Sequence, residues 1–216
     1  MKLLITAGPT REALDPVRYL SNRSSGKMGY ALAAAGIEAC HEVVLISGPV
    51  SIPPPPGAEV VQVESAQQMY EAVQAQINTC AAAIFAAAVT DYRPAQVAEQ
   101  KIKKTGDELV LRLEKTLDIL GSARLVFGFT GVLVGFAAET QSLMEHAQEK
   151  LQRKGCDLLV ANDVSRPGIG FDSEENEVIL LSPTAAPRPL PRGTKAGIAR
   201  EIIRIVAELA DLPSTP

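Results

Sequence analysis

Apolar stretches at residues 2–7, 42–47, 81–88, 132–137 and 157–161 are continuous rather than alternating, and most are separated by helix-forming stretches at 28–39, 66–78, 141–154 and 195–210. A strand that is apolar at every position is buried on both faces, and such strands with helices between them build parallel sheets covered on either side. The pattern predicts a three-layer α/β fold, one domain over residues 1–216, on a mostly parallel, Rossmann-like sheet. Ligands of such sheets sit outside the carboxyl ends of the strands. The polar segments that follow each apolar run are therefore where chemistry is expected.

The longest of these segments runs from Gly8 to Gly29, between the first strand and the first helix, and reads as a polar loop. A helix N-terminus presents unpaired backbone N–H groups to an anion. Gly8, Gly26 and Gly29 permit close backbone approach, and Ser24 and Ser25 add hydroxyl donors, so a phosphorylated ligand is expected at this phosphate loop. The segment Gly26-Lys27-Met28 lacks the Ser or Thr that follows the lysine of a P-loop. Gly8 is too far from Gly26 and Gly29 for a tight dinucleotide turn, which weakens the reading as a nicotinamide-dependent oxidoreductase. A non-catalytic nucleotide-binding module is the other alternative.

With 46% hydrophobic residues in 216, the chain can bury a full core. Its net charge of −4, with both signs interspersed, gives no basic stripe for nucleic acid and no polybasic segment for a membrane surface. The apolar runs are too short to span a bilayer, and the chain opens into a strand without a signal pattern, so a cytoplasmic protein is expected. Cys40, Cys80 and Cys156 lack CxxC spacing and read as small buried hydrophobes.

Beyond the phosphate loop, Ala86-Ala87-Ala88 ends the third strand, and Asp91 beside it can accept hydrogen bonds from a nucleoside or hold a metal. Residues 97–103 and 108–113, flanking Thr105-Gly106-Asp107, read as an inserted β-hairpin arm that carries the tetrad Lys101-Ile102-Lys103-Lys104. On its own that tetrad reads as a solvated edge. Lys150 and Lys154, four apart, share a helical face. Ala161-Asn162-Asp163-Val164 and the flexible loop Gly168-Ile169-Gly170-Phe171 add a further polar strand end. Residues 53–56 are a rigid proline run in a surface loop, residues 177–181 and those around Arg188-Pro189-Leu190 read as a second hairpin, and residues 212–216 are expected to fray.

The collinear stretches ITAGPTREALDPVRYLSNRSSGKMG, AAAVTDYRP, KIKK, DIL, GFAAET, KLQRKGCDLLVANDVS and GFDSEEN, spanning Ile5 to Asn176, resemble the bacterial phosphopantothenoylcysteine synthetase, a ligase of coenzyme A biosynthesis. The resemblance implies ligation of 4'-phosphopantothenate to cysteine with CTP through an acyl-cytidylate, with Mg2+, in a homodimer, and in many members fusion to a flavin-dependent decarboxylase. It also implies that Asn22 acts on the activated acyl group and that Lys101 is needed to form the acyl-cytidylate. Phe85, Ala86, Ala87, Asp91, Leu117, Asp118, Ile119, Leu120, Phe136, Lys150 and Lys154 would contact the nucleotide. The family usually has proline where Leu117 stands, a departure within the segment expected to hold the cytidine.

Overall fold

A computed structural model describes residues 1–104, 106–139, 142–163 and 173–211. Thr105 at the expected arm turn, Gln141 at an expected helix start, the 168–171 loop and the 212–216 tail lie outside the described residues. At the centre is strand β1 (Lys2–Ala7), followed by the short strands β2 (Arg11–Asp15) and β3 (Arg18–Ser21), helix α1 (Lys27–Glu38), and strands β4 (Glu42–Ser47) and β5 (Glu59–Gln62). Helix α2 (Ala66–Gln76) leads through a single 3-10 turn to β6 (Ala82–Phe85). After the small strands β7 (Tyr92–Pro94) and β8 (Leu113–Lys115) come α3 (Ile119–Leu125), β9 (Val132–Glu139), α4 (Leu143–Lys154) and β10 (Leu158–Asp163). The described chain ends with β11 (Glu175–Leu181), β12 (Arg188–Thr194) and α5 (Lys195–Asp211).

Eight strands form one sheet in the order β12-β11-β10-β9-β6-β1-β4-β5, parallel from β10 to β5 and antiparallel at the β11 and β12 edge. The mostly parallel three-layer expectation holds, and the second hairpin appears as β11 and β12, extending the main sheet. Side chains of a strand alternate between faces, and each face has its own helices. Leu3, Ile5 and Ala7 pack with Leu32 of α1 and Ile198 and Ile202 of α5, whereas Leu4 packs with Met69 of α2, Ala123 of α3 and Leu151 of α4. Because β4 lies on one side of β1 and β6 on the other, the strand order reverses between β1 and β6. Their carboxyl ends open the crevice in which ligands of such sheets bind.

Three expectations are corrected. The Gly8–Gly29 segment is not a simple loop: β2 and β3 pair within it as an antiparallel hairpin. The third strand is shorter than residues 81–88, because after Phe85 the chain pairs with the loop that leaves β1, Ala88 N–H donating to Gly8 C=O at 2.9 Å. Among the described residues the arm is strand-paired at its base, β7 with β8, while 97–103 and 108–112 contain no strand. Ala98 N–H instead donates to Leu14 C=O at 3.0 Å, laying the arm along the β2–β3 hairpin. The Leu109-Val110-Leu111 run that suggested a strand is exposed, so its apolar character is not a sign of burial within the chain.

Candidate active site

Two adjoining cavities open at the carboxyl ends of β1, β6 and β9. The larger, of about 750 Å³, is lined by Phe85, Ala87, Asp91, Leu117, Asp118, Ile119, Leu120, Phe136, Lys150 and Lys154 among others. The smaller, of about 340 Å³, is lined by Asn22, Ser24, Gly26 and Gly29 and by Ala86. Ala87, Val89, Asp91, Phe136 and Lys150 border both and so form the wall between them. Both volumes fall in or near the range of small-molecule sites, roughly 300–1,000 Å³. Gly8 and Ser25 line neither cavity, and Lys101, exposed on the arm, lines neither among the described residues.

The geometry at the start of α1 explains the glycines of the expected phosphate loop. Gly26 caps α1 with φ 79°, in the left-handed region that favours glycine, and a side chain there would meet Val50 Cγ1 at 2.6 Å. At Gly29 a Cβ would lie 2.5 Å from Ala7 Cβ, so this glycine lets α1 press against β1 as well as lining the smaller cavity. No side chain caps α1. The positive end of its dipole favours an anion in the adjoining cavity.

The hairpin is fastened to the site by buried polar contacts. Glu12 is buried and accepts from the Ala66 N–H that starts α2, at 2.8 Å, and from the Thr90 hydroxyl at 3.0 Å. A carboxylate at a helix N-terminus is favoured by the helix dipole. The Thr10 and Thr90 hydroxyls lie 3.1 Å apart, and Thr90 N–H donates to Thr10 Oγ1 at 3.0 Å. This network braces the 88–90 segment against which Asn22 rests. Asn22 Nδ2 donates to the carbonyls of Ala88 and Val89 at 3.0 and 3.1 Å. Both amide N–H groups are thus engaged, which leaves Oδ1 as the acceptor.

In the larger cavity, Asp118 caps α3 by accepting from Gly121 N–H at 2.9 Å and also pairs with Lys154. Burial pushes the Asp118 carboxyl up, but the bonds from Lys154 and Gly121, with the charge of Arg153, hold it below its ordinary value. Lys150 Nζ donates to Phe136 C=O at 2.8 Å, fixing an ammonium at the dividing wall. His146, Glu149 and Arg153 also line this cavity. His146 and Arg153 fall four and three residues from Lys150, and Glu149 falls three after His146 and four before Arg153, so extending the helical face already read from Lys150 and Lys154 finds them. Asn162, Asn176 and Lys195 line the smaller cavity. Asn162 lies in a segment already marked as a polar strand end and Asn176 closes the GFDSEEN stretch, whereas Lys195 has no sequence signal of its own.

The thiols depart from expectation at one position. Cys80 and Cys156 are buried, and burial pushes the Cys156 thiol up to about 11, whereas Cys40 is exposed at the end of α1.

The chain is similar to proteins of known pathway. It is 48% identical over 209 residues to the coenzyme A biosynthesis bifunctional protein CoaBC of Vibrio vulnificus strain YJ016, covering 96% of this chain and 52% of that protein. It is 49% identical over 184 residues to CoaBC of Escherichia coli K12, covering 84% and 45%. The chain thus spans about half the length of the curated relatives it matches. The crystal structure of the C-terminal domain of a CoaBC superposes with a TM-score of 0.83 at 41% identity, covering 98% of this chain and 96% of that one. A Cab2 variant in complex with phosphopantothenate-cysteine shares the fold, with a TM-score of 0.82 at 18% identity over 97% of this chain and 86% of that one. The family model that bears the description DNA/pantothenate metabolism flavoprotein C-terminal domain matches residues 1–209, and the chain belongs to that family.

Proposed function

We propose that this chain is a phosphopantothenate–cysteine ligase that activates 4'-phosphopantothenate with CTP, and the paired cavities carry the reading. A carboxylate is a poor electrophile, so one of its oxygens must attack the nucleotide α-phosphorus, breaking the bond to the β-phosphate and releasing pyrophosphate. The cysteine amine then attacks the acyl carbon of the mixed anhydride, loses a proton, and CMP departs with the electron pair of the broken C–O bond. Two reactants must meet at one wall. The larger cavity suits the nucleotide, with Lys150 and Lys154 for its phosphates and the α3 start for its base. The smaller suits the phosphorylated acid, which the α1 N-terminus can hold by its phosphate.

Asn22 stands at the smaller cavity, beside the wall across which the acyl group would be activated. Its Oδ1 can accept from the incoming amine, and an N–H released from Ala88 or Val89 can turn to the acyl oxygen. The larger cavity needs no nucleophilic side chain for this chemistry. Asp91, a carboxylate that borders both cavities, would hold a Mg2+ brought in by the triphosphate. When bound it would neutralise phosphate charge.

Incubation with phosphopantothenate and each nucleoside triphosphate, with and without cysteine, tests the assignment. Pyrophosphate should appear with CTP before cysteine is added, and CMP only afterwards. Absence of pyrophosphate with every nucleotide would refute it.

We also propose a homodimer. Val110 is 87% exposed and Leu109 57%, on an arm that the described residues fasten at its base and along the hairpin. A second copy covering this strip would remove apolar surface from water and support the arm. Sedimentation should give twice the monomer mass, and Leu109→Asp with Val110→Asp should shift the protein to monomer; a wild-type monomer would contradict this. The longer relatives, named as bifunctional, are consistent with a fused flavin-dependent half in the natural setting.

A further inference from the structure

Asp15 lies at the tip of the β2–β3 hairpin, away from both cavities, yet its side chain is fully buried. Its Oδ1 accepts from Val17 and Arg18 N–H, both at 2.9 Å, as a turn aspartate does. The turn asks nothing more of it. Oδ2 nevertheless accepts from Arg18 Nε at 3.0 Å and Nη2 at 2.6 Å, and from Ile102 N–H, on the arm, at 3.1 Å. Arg18 Nη2 in turn donates to Ile102 C=O at 2.9 Å. Both backbone groups of the residue after Lys101 are therefore held by one ion pair.

That ion pair joins two distant parts of the candidate mechanism. Strand β3 begins at Arg18 and ends at Ser21, so the next residue is Asn22 at the smaller cavity. Resting on the functional reading above, we propose that Asp15 is a positioning residue for Lys101: it clasps the lysine loop to the hairpin, so that the loop closes on the nucleotide together with the hairpin instead of as a free segment. The hairpin spans about 13 Å from Arg11 to Asp15 at the usual strand rise, so an unclasped Lys101 would lack a fixed distance from the reacting groups. Hydrogen bonding by Arg18 holds the Asp15 carboxyl well below the ordinary carboxylate range against its burial. A depressed folded value means that the clasp's stabilisation is present above the ordinary carboxylate pKa and is lost only as pH falls through the folded one. The clasp is thus intact at any neutral assay pH.

Two full-chain variants test this. Asp15→Asn weakens the bonds that Arg18 and Ile102 donate to Oδ2, and Ile102→Pro removes the arm's N–H and fixes φ there while leaving the Asp15 turn intact. In both, tryptic cleavage after Lys103 should accelerate, and kcat for pyrophosphate release without cysteine should fall by about 10–100-fold, as for a lost hydrogen bond to a charged group. The KM for phosphopantothenate, and amide formation from supplied acyl-cytidylate, should each stay within about twofold because neither uses Lys101. A residue that merely supports the fold would slow both half-reactions together, and that result overturns the proposal. Undiminished pyrophosphate release, or slower release without faster cleavage, overturns it as well. If wild-type protein releases no pyrophosphate, the functional reading falls, and cleavage alone then decides whether the clasp exists.

Discussion

Asn22→Ala is expected to accumulate acyl-cytidylate while product formation slows by about 10²–10³-fold, the loss typical of one oxyanion-stabilising donor. The argument rests on where Asn22 sits: at the smaller cavity, with its amide against Ala88 and Val89 and its Oδ1 left to accept. In the proposed reaction activation is at the nucleotide α-phosphorus and should survive the substitution, so pyrophosphate release without cysteine should remain near the wild-type rate. Quenched-flow analysis of CTP, acyl-cytidylate and CMP separates the steps. A variant that forms no intermediate would remove Asn22 from the second step. It would point instead to a purely structural duty, bracing the 88–89 carbonyls.

Lys101→Gln should fail earlier, with pyrophosphate release reduced by about 10³-fold or more, on the scale known for a cation supplied late to a phosphoryl-transfer site. Because Lys101 lines neither cavity among the described residues, CTP binding measured by calorimetry should be largely retained. That separation of binding from activation is the signature of a group delivered by loop closure. Normal pyrophosphate release by the variant would exclude Lys101 from the reaction, and lost CTP binding would place it in the resting nucleotide site.

Much of this arrangement is legible without coordinates because it is local. The apolar run at 2–7, too short for a helix and continuous in its hydrophobicity, reads as a strand buried on both faces, and Lys150 and Lys154 must share a helical face wherever the helix lies. Asp118 was read from the resemblance alone, although its capping of α3 three residues before Gly121 is also a local signature that sequence reasoning overlooked. The arm shows the opposite case: its apolar residues imply strand pairing, yet the chain finds its partner in the hairpin tip instead.

Glu12 and Asp15 mark where local reading stops. Acidic residues are seldom buried without partners, and here those partners lie 54 and 87 residues along the chain, at Ala66 and Ile102. No window of sequence contains both ends of such a bond. The sequence by itself determined the layered α/β class, the glycines at the start of α1 and the basic face of α4, because the periods of strand and helix and the freedom of glycine act within a few residues. Only the tertiary structure decided that two cavities share a wall, that Asn22 is held by the 88–89 carbonyls, and that the Lys101 loop is fastened to the hairpin. Those depend on buried polar groups finding partners across the fold, where an unpaired charge is too costly to leave.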